Sequence, residues 1–248
     1  YNNRRSIARA ETTDFRRWPY PTPILEPGPE EKPFIDYYLS CKTLYPGTRD
    51  AHLMFVNTYD RFNDISEIRL AVSNDGIAWH FVPGDPVITH GEPGQWDGAY
   101  KAAFPDLLSL PNGDLALPFV GTTVPHKHSR YQGFQRGNAL AVWPQGRLTC
   151  IEADEEGEFT TCLLKCQGQE LHLNVQTKHA GFVKVGVLDE NGVPLKGREI
   201  EVAVPISGDF ADQLVRWKTR EDLGVEDDQP IMLHFRLRSA KLFTFHVS

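Results

Sequence analysis

Along most of the chain apolar and polar residues alternate in short runs, the period of a strand with one buried face, and Pro, Gly, Asn and Asp interrupt the runs at close intervals. In the first part this pattern predicts strands over about Ile35–Lys42, Ala51–Asn57, Glu67–Val72 and Trp79–Val82, which together read as one four-stranded unit. A second unit is expected from about Ala102 to Ile151, and the segment before Glu26 supplies the outer half of another. Beyond an acidic run the pattern changes. Phe159–Lys165, Glu170–Thr177, Phe182–Asp189, Gln213–Lys218, Ile231–Leu237 and Leu242–Val247 read as six further strands, with Asp189-Glu190-Asn191-Gly192 as a hairpin turn. The expected boundary lies near Glu156, dividing residues 1–156 from residues 157–248.

The first part repeats itself. Ile7, Ala10, Thr12, Asp14 and Trp18 recur as Ile68, Ala71, Ser73, Asp75 and Trp79 in two stretches set 61 residues apart, and Pro23-Ile24-Leu25 recurs as Pro86-Val87-Ile88 at 63. Asp50–Val56 is echoed at the same 63-residue offset by the run from Gly113 to Val120, and a third partial copy covers Asn138–Ile151. Each copy reads as strand, turn, strand, in which a hydroxyl and an Asp cap the turn and a Trp covers the returning strand. Asp14 and Asp75 are therefore expected to be structural. Four-stranded units at about sixty residues are the blades of a β-propeller, and two and a half blades fall short of the ~4 to 8 that close a ring. Val124–Gln135 reads as an inserted loop. The fold class is all-β: blades of a partial five-bladed propeller followed by a β-sandwich.

Composition narrows the function. With 248 residues and a net charge of −7 the chain lacks the basic balance of a nucleic-acid binder, and its apolar runs are far shorter than the ~18 residues of a membrane span. The first residue is Tyr and no charged-then-apolar leader follows, so a targeting segment is expected to be removed or outside this stretch, and the compartment is not legible. Cys41, Cys150, Cys162 and Cys166 form no CxxC pair and are expected to be buried free thiols, with a Cys162–Cys166 or Cys150–Cys162 bridge left open. P-loop, dinucleotide, zincin and nucleophile-elbow motifs are missing from the sequence.

Several segments carry a resemblance. These are Ser73–Trp79 (S-x-D-G-x-x-W), Gly94–Asp97 (G-x-W-D), Pro105–Pro118 (P-x-L-L-x-L-P-N-G-D-L-x-L-P), Arg5–Trp18, Val215–Lys218 and His234–Leu242. They resemble the C-terminal part of five-bladed propeller proteins related to glycoside hydrolase families 32 and 43. The resemblance implies that the two whole blades are the fourth and fifth, that the sandwich follows directly, and that the three carboxylates usual in the first three blades lie outside this chain. It also implies a carbohydrate substrate, no cofactor, and a partner that completes the ring: a preceding segment, a separate chain bearing the N-terminal half, or a second copy in a homo-oligomer.

Glycoside hydrolysis needs two carboxyls, ~5 Å apart for retention or ~6.5 to 9.5 Å for inversion. On the propeller reading the acids that face a central cavity are Asp36, Asp97 and Glu92, which are the catalytic candidates. Trp96, Tyr37 and Tyr100 are candidate sugar-stacking rings, and His126, His128 and Arg130 of the inserted loop are candidate lid contacts. His126 and His128 have metal-like spacing without a third ligand in sequence, so no metal is expected. The acidic run from Glu152 to Glu158 reads as a hydrated linker. The leading expectation is the C-terminal part of a glycoside hydrolase; the alternative is a non-catalytic carbohydrate-binding or assembly module. A second carboxylate within ~10 Å of Asp36 or Asp97 in an open cavity favours the enzyme, and an acid-free cavity favours the binder.

Overall fold

The computed structural model describes residues 3–129 and 133–248, which form antiparallel strands and, among those residues, no helix. The chain divides into two compact units, Tyr1–Val142 and Trp143–Ser248.

In the first unit β1 (Ile7–Arg9) and β2 (Thr22–Leu25) make a two-stranded sheet. The next four strands, β3 (Ile35–Leu44), β4 (His52–Asp60), β5 (Ile65–Ser73) and β6 (His80–Phe81), pair in chain order as an antiparallel meander. The alternating pattern placed all four. The turns of the repeat are built alike: the Asp14 carboxylate accepts from the backbone N–H groups of Arg16 and Arg17, and that of Asp75 from Ile77 and Ala78. In each the hydroxyl two residues earlier, Thr12 or Ser73, donates to the same carboxylate. These amides hold both acids below the ordinary carboxylate pKa. Asp14 and Asp75 thus do the structural work expected of them.

The third sheet departs from expectation. Its strands are β7 (Lys101–Ala103), β8 (Leu108–Ser109), β9 (Leu115–Thr122) and β10 (Arg136–Trp143), in the order β10-β9-β7. β7 pairs with Phe119–Gly121 and β8 with Leu115–Ala116, so they are two pieces of one interrupted strand beside β9. The break spans Pro105, which has no N–H to give, and Asp106, whose φ is 74°. The segment leading to Ile151 was expected to complete this unit, yet Ile151 opens a strand of the other unit. Among the described residues β10 therefore has no fourth strand beside it.

Buried polar groups join the second and third sheets. Ser66 Oγ donates to the Lys101 carbonyl at 2.9 Å and accepts from the Lys101 N–H at 2.7 Å, while the Asn57 amide donates to the same carbonyl. These side chains satisfy backbone groups of β7 that would otherwise be buried without a partner.

In the second unit β11 (Ile151–Thr160), β12 (Leu164–Lys165), β13 (Leu171–Leu188), β14 (Asp209–Leu214) and β15 (Pro230–Val247) form one sheet ordered β11-β15-β13-β14, with β12 also on β15. Four of the six expected strands are fused in pairs into β13 and β15. The Lys178–Gly181 stretch between two expected strands is a bulge inside a continuous ladder, with Ala180 at φ 61° and Ser239 at φ 43° on the two strands. A Cβ on Gly181 would meet the backbone carbonyls of Arg238 and Ser239, which is why this position has none.

The acidic run is not a linker. It is most of β11, and Glu152, Glu156 and Glu158 face Lys241, Arg238 and Arg236 of β15 as register partners. Opposite charges across a ladder explain the acidic composition that sequence alone suggested was mere hydration. The break between compact units accordingly lies ahead of this strand, between Val142 and Trp143. The core of this unit is aliphatic, with Leu171, Leu173, Val175, Val183, Val185 and Val187 of β13 packed with Leu233, Phe235 and Trp217. All four cysteines are free, and none is buried: Cys150 and Cys162 are exposed, Cys41 and Cys166 half-buried.

Candidate functional site

In the first unit a pocket of about 560 Å³ opens between β9 and the inserted loop, lined by Tyr100, Val120, Thr122, Val124, Pro125, His126, His128, Phe134 and Arg136. Its floor follows from strand alternation, since Val120 and Thr122 lie two residues apart on one face of β9. Tyr100 comes alongside because its carbonyl accepts the Thr122 N–H at 3.0 Å, while Ala99 donates to the Thr122 carbonyl at 3.1 Å. The loop closes at its base, where Thr123 donates to the Gln135 carbonyl and the Gln135 N–H returns to Thr123 Oγ1.

His126 is the hub of the loop. Its ring stacks on Tyr100 with centroids 4.7 Å apart and 24° between planes, and a ring nitrogen shares a 3.0 Å hydrogen bond with the Tyr38 hydroxyl. Tyr59 meets the same ring edge-on at 5.7 Å. One residue on, the Lys127 N–H donates to Asp64 Oδ2 at 3.0 Å, and the Tyr59 hydroxyl donates to the other oxygen of Asp64. The β4–β5 turn thereby anchors the loop. Burial, together with the nearby Tyr38 hydroxyl, pushes the Tyr100 phenol up to about 12, so it remains a neutral hydrogen-bond donor at physiological pH. His128 is half-buried next to Phe134, and its Nε2 is buried with no hydrogen-bond partner among the described residues.

Trp96 stands at a neighbouring hollow shared with Phe134, Gln135, Arg136, Gly137 and Asn138. Two glycines make room for it. A Cβ on Gly137 would come within 2.8 Å of Trp96 Cε3, and one on Gly121 within 2.9 Å of Cζ3, so the indole lies flat over two strands and packs on Phe119 at 5.8 Å. Its outer face is open, with 38% of the residue exposed. Phe134 and Arg136 border both hollows.

The structure brings Tyr100, His126, His128 and Trp96 to this corner; Asp97 packs beside Trp96 against Gly121, but neither it nor Asp36, Glu92 or Tyr37 lines either hollow. Asp36 is buried outside the pocket, with Oδ2 at 2.6 Å from Arg5 Nη1 and Oδ1 at 3.3 Å from Arg61 Nε; the Arg5 N–H also donates to Oδ1. Asp97 holds the fully buried Lys101 ammonium at 3.0 Å. Burial pulls the Lys101 pKa down, and the Asp97 carboxylate opposes that shift. Glu92 is exposed in the Glu92–Gln95 turn. Tyr37 belongs to the core, packed edge-on against Phe81 with its hydroxyl on Glu31 at 3.0 Å. Arg130 lies outside the described residues.

Tyr38, rather than the expected Tyr37, reaches the loop. On β3 Tyr37 pairs with Thr58 and Leu39 with Asn57, so Tyr38 is the extra residue of a bulge and its ring is re-aimed toward the loop. Arg5 covers its other face at 4.8 Å. Phe134 carries no site signal in the sequence, because only the loop's closure brings it, with Arg136, beside Tyr100.

A larger hollow of about 660 Å³ lies under the β1–β2 connection, but residues of that one connection, Ala10 to Trp18, form all its lining, and Asp14 is committed to the turn. The chain matches no protein-family model and no curated protein sequence.

Among its described residues the corner offers stacking faces, hydroxyl and imidazole groups and one guanidinium. Among the described residues no carboxylate lines it, whereas glycosidic cleavage uses a pair.

Proposed function

We propose that this chain binds carbohydrate through the Tyr100–His126 pocket and the adjacent Trp96 face, on two and a half blades of a five-bladed propeller scaffold followed by a sandwich. The observation that carries the reading is the acid-free lining of an open, aromatic-walled pocket that also holds Arg136, His126 and His128. Apolar ring faces stack on the C–H faces of a sugar, and a guanidinium pairs bidentately with a carboxylate or sulfate. The favoured ligand is therefore an acidic oligosaccharide. The 61- to 63-residue repeat and the β3–β6 meander support the blade reading. So do the exposed Phe15 and Tyr20 beside β1–β2 and the exposed Leu140 and Val142 of β10, apolar surface that a neighbouring blade would cover.

Calorimetric titration of the protein with neutral and uronate-containing oligosaccharides tests this. Binding is expected, preferring the uronates, and Tyr100→Ala or Arg136→Ala should each weaken it about three- to tenfold or more. Affinities unchanged in both variants, or no binding across the panel, overturn the reading. The hydrolase alternative is served by the resemblance and by Asp36 and Asp97. Release of new reducing ends, lost in Asp36→Asn or Asp97→Asn, would establish it in place of the binder.

A further inference from the structure

His172 on β13, Asp212 on β14 and His246 on β15 bring one ligand atom each to within 4.8 Å of one another on the second unit's sheet. We propose that these three side chains form a binding site for a divalent transition-metal ion of the zinc type, which clamps three adjacent strands.

The juxtaposition follows from register. His172 and His246 are direct cross-strand partners, and their rings lie 4.9 Å apart and nearly parallel, at 14°. On its other side His172 pairs with Leu214. Asp212 is two residues from Leu214, so it shares that face and reaches diagonally toward His172. Asp212 Oδ1 lies 2.9 Å from His172 Nδ1 and 3.8 Å from His246 Nε2.

A zinc ion holds imidazole nitrogen and carboxylate oxygen at about 2.0–2.2 Å, which places neighbouring ligand atoms roughly 3 to 3.5 Å apart. The two measured separations straddle that value, and His246, being exposed, can rotate to close the remaining gap. Neither nitrogen of the half-buried His172 has a hydrogen-bond partner of good geometry, although Asp212 and Glu170 stand close by. A metal satisfies one of these nitrogens. Glu170, 3.7 Å from His172 Nε2, is placed to orient the ring from behind in the manner of a carboxylate–histidine–metal relay. Imidazole and carboxylate donors without a thiolate suit Zn²⁺, Ni²⁺, Co²⁺ and Cu²⁺ over Ca²⁺ or Mg²⁺. Water fills the remaining positions.

The sequence concealed the site because its ligands come from three strands far apart in the chain. The His126-Lys127-His128 spacing of the first unit carries the local metal-like signal instead, and there His126 is occupied by Tyr38 and Tyr100.

The test uses the intact chain, freed of metal with a chelator and titrated with Co²⁺ as a visible-absorbing probe, then with Zn²⁺ in competition. The expected result is one Co²⁺ per chain with ligand-field bands, displaced by Zn²⁺, and a rise in melting temperature with metal. His246→Ala and Asp212→Asn, both at exposed positions, should each weaken binding about tenfold or more, and a His126→Ala/His128→Ala double variant should leave it unchanged. No saturable Co²⁺ or Zn²⁺ binding below about 100 μM would overturn the proposal. So would binding that survives in both His246→Ala and Asp212→Asn, or binding that follows His126 and His128. Because sugar binding is not among the readouts, failure here leaves the carbohydrate reading standing, and the reverse also holds.

Discussion

The two units solve burial differently. The first hides charge and amide groups inside, with Asp36, Asn57, Ser66 and Lys101 all buried, whereas in the second Asn174 is the buried polar side chain among the described residues. Strand length accounts for this. The long β13 and β15 satisfy each other's backbone almost end to end, so hydrocarbon alone can fill the core between their side chains. The short, interrupted strands of the first unit leave backbone groups at the ends of ladders, and side chains such as Ser66 and Asn57 must serve them. Where ladders stop there is also room for a loop to fold back, and the pocket lies at such a place. The candidate pocket thus lies where the ladders of the first unit are short and interrupted, and the second unit's core is built on long paired strands.

The comparison can be broken most severely in the second core. Trp217 is almost wholly buried, and its Nε1 donates to the Val185 carbonyl at 2.9 Å. Trp217→Ala should cost about 3–5 kcal/mol, read from urea denaturation. A loss under about 1 kcal/mol would show that this core repacks freely, contrary to its regular ladders.

The first unit offers a smaller but more specific test. Asp97→Ala strands the buried Lys101 ammonium, and because Asp97 keeps some solvent contact the cost should be about 1–3 kcal/mol rather than that of a fully buried pair. Adding Lys101→Met should recover part of it in the same denaturation assay. If the double variant is no more stable than the single, then Asp97 acts through its backbone turn and the buried charge is incidental.

The smallest effect concerns β11. The hydrogen bond from Arg236, and then that from His234, hold the Glu158 carboxyl below the ordinary range. A lowered folded-state pKa contributes stability above the unfolded carboxylate value and loses it as pH falls through the folded value. For so exposed a pair the contribution is about 0.2–1 kcal/mol. The melting temperature of Glu158→Gln should lie below that of the unaltered protein at about pH 7, and the gap should close as pH falls below the unfolded carboxylate value of about 4.3. Parallel curves across that range would remove the cross-strand explanation of the acidic run.

Much of the first unit was legible because its signals are local. The alternation over residues 35–82 and the Ser73-Asn74-Asp75-Gly76 turn depend on neighbours a few residues away, and the β3–β6 meander follows them closely. The parity of Tyr37 and Tyr38 was not legible. It is inverted by a bulge that exists only against β4, so the ring expected at the site is in the core and its neighbour contacts His126. The same limit hid the fusion of strands across Lys178–Gly181 and the strand character of Glu152–Glu158, whose basic partners are about eighty residues further along.

Residue order by itself determined the all-β class, the repeating unit, the two equivalent Asp turns and the presence of aromatic and imidazole groups near one loop, because each rests on period, turn chemistry or composition. Only the tertiary structure decided which of those groups meet. It set Asp36 and Asp97 against cations, gathered Tyr100, His126 and Arg136 around a pocket without an acid, and brought His172, Asp212 and His246 together across three strands. The reason is that strand register couples residues distant in the chain, and a one-residue bulge changes which face every later side chain occupies.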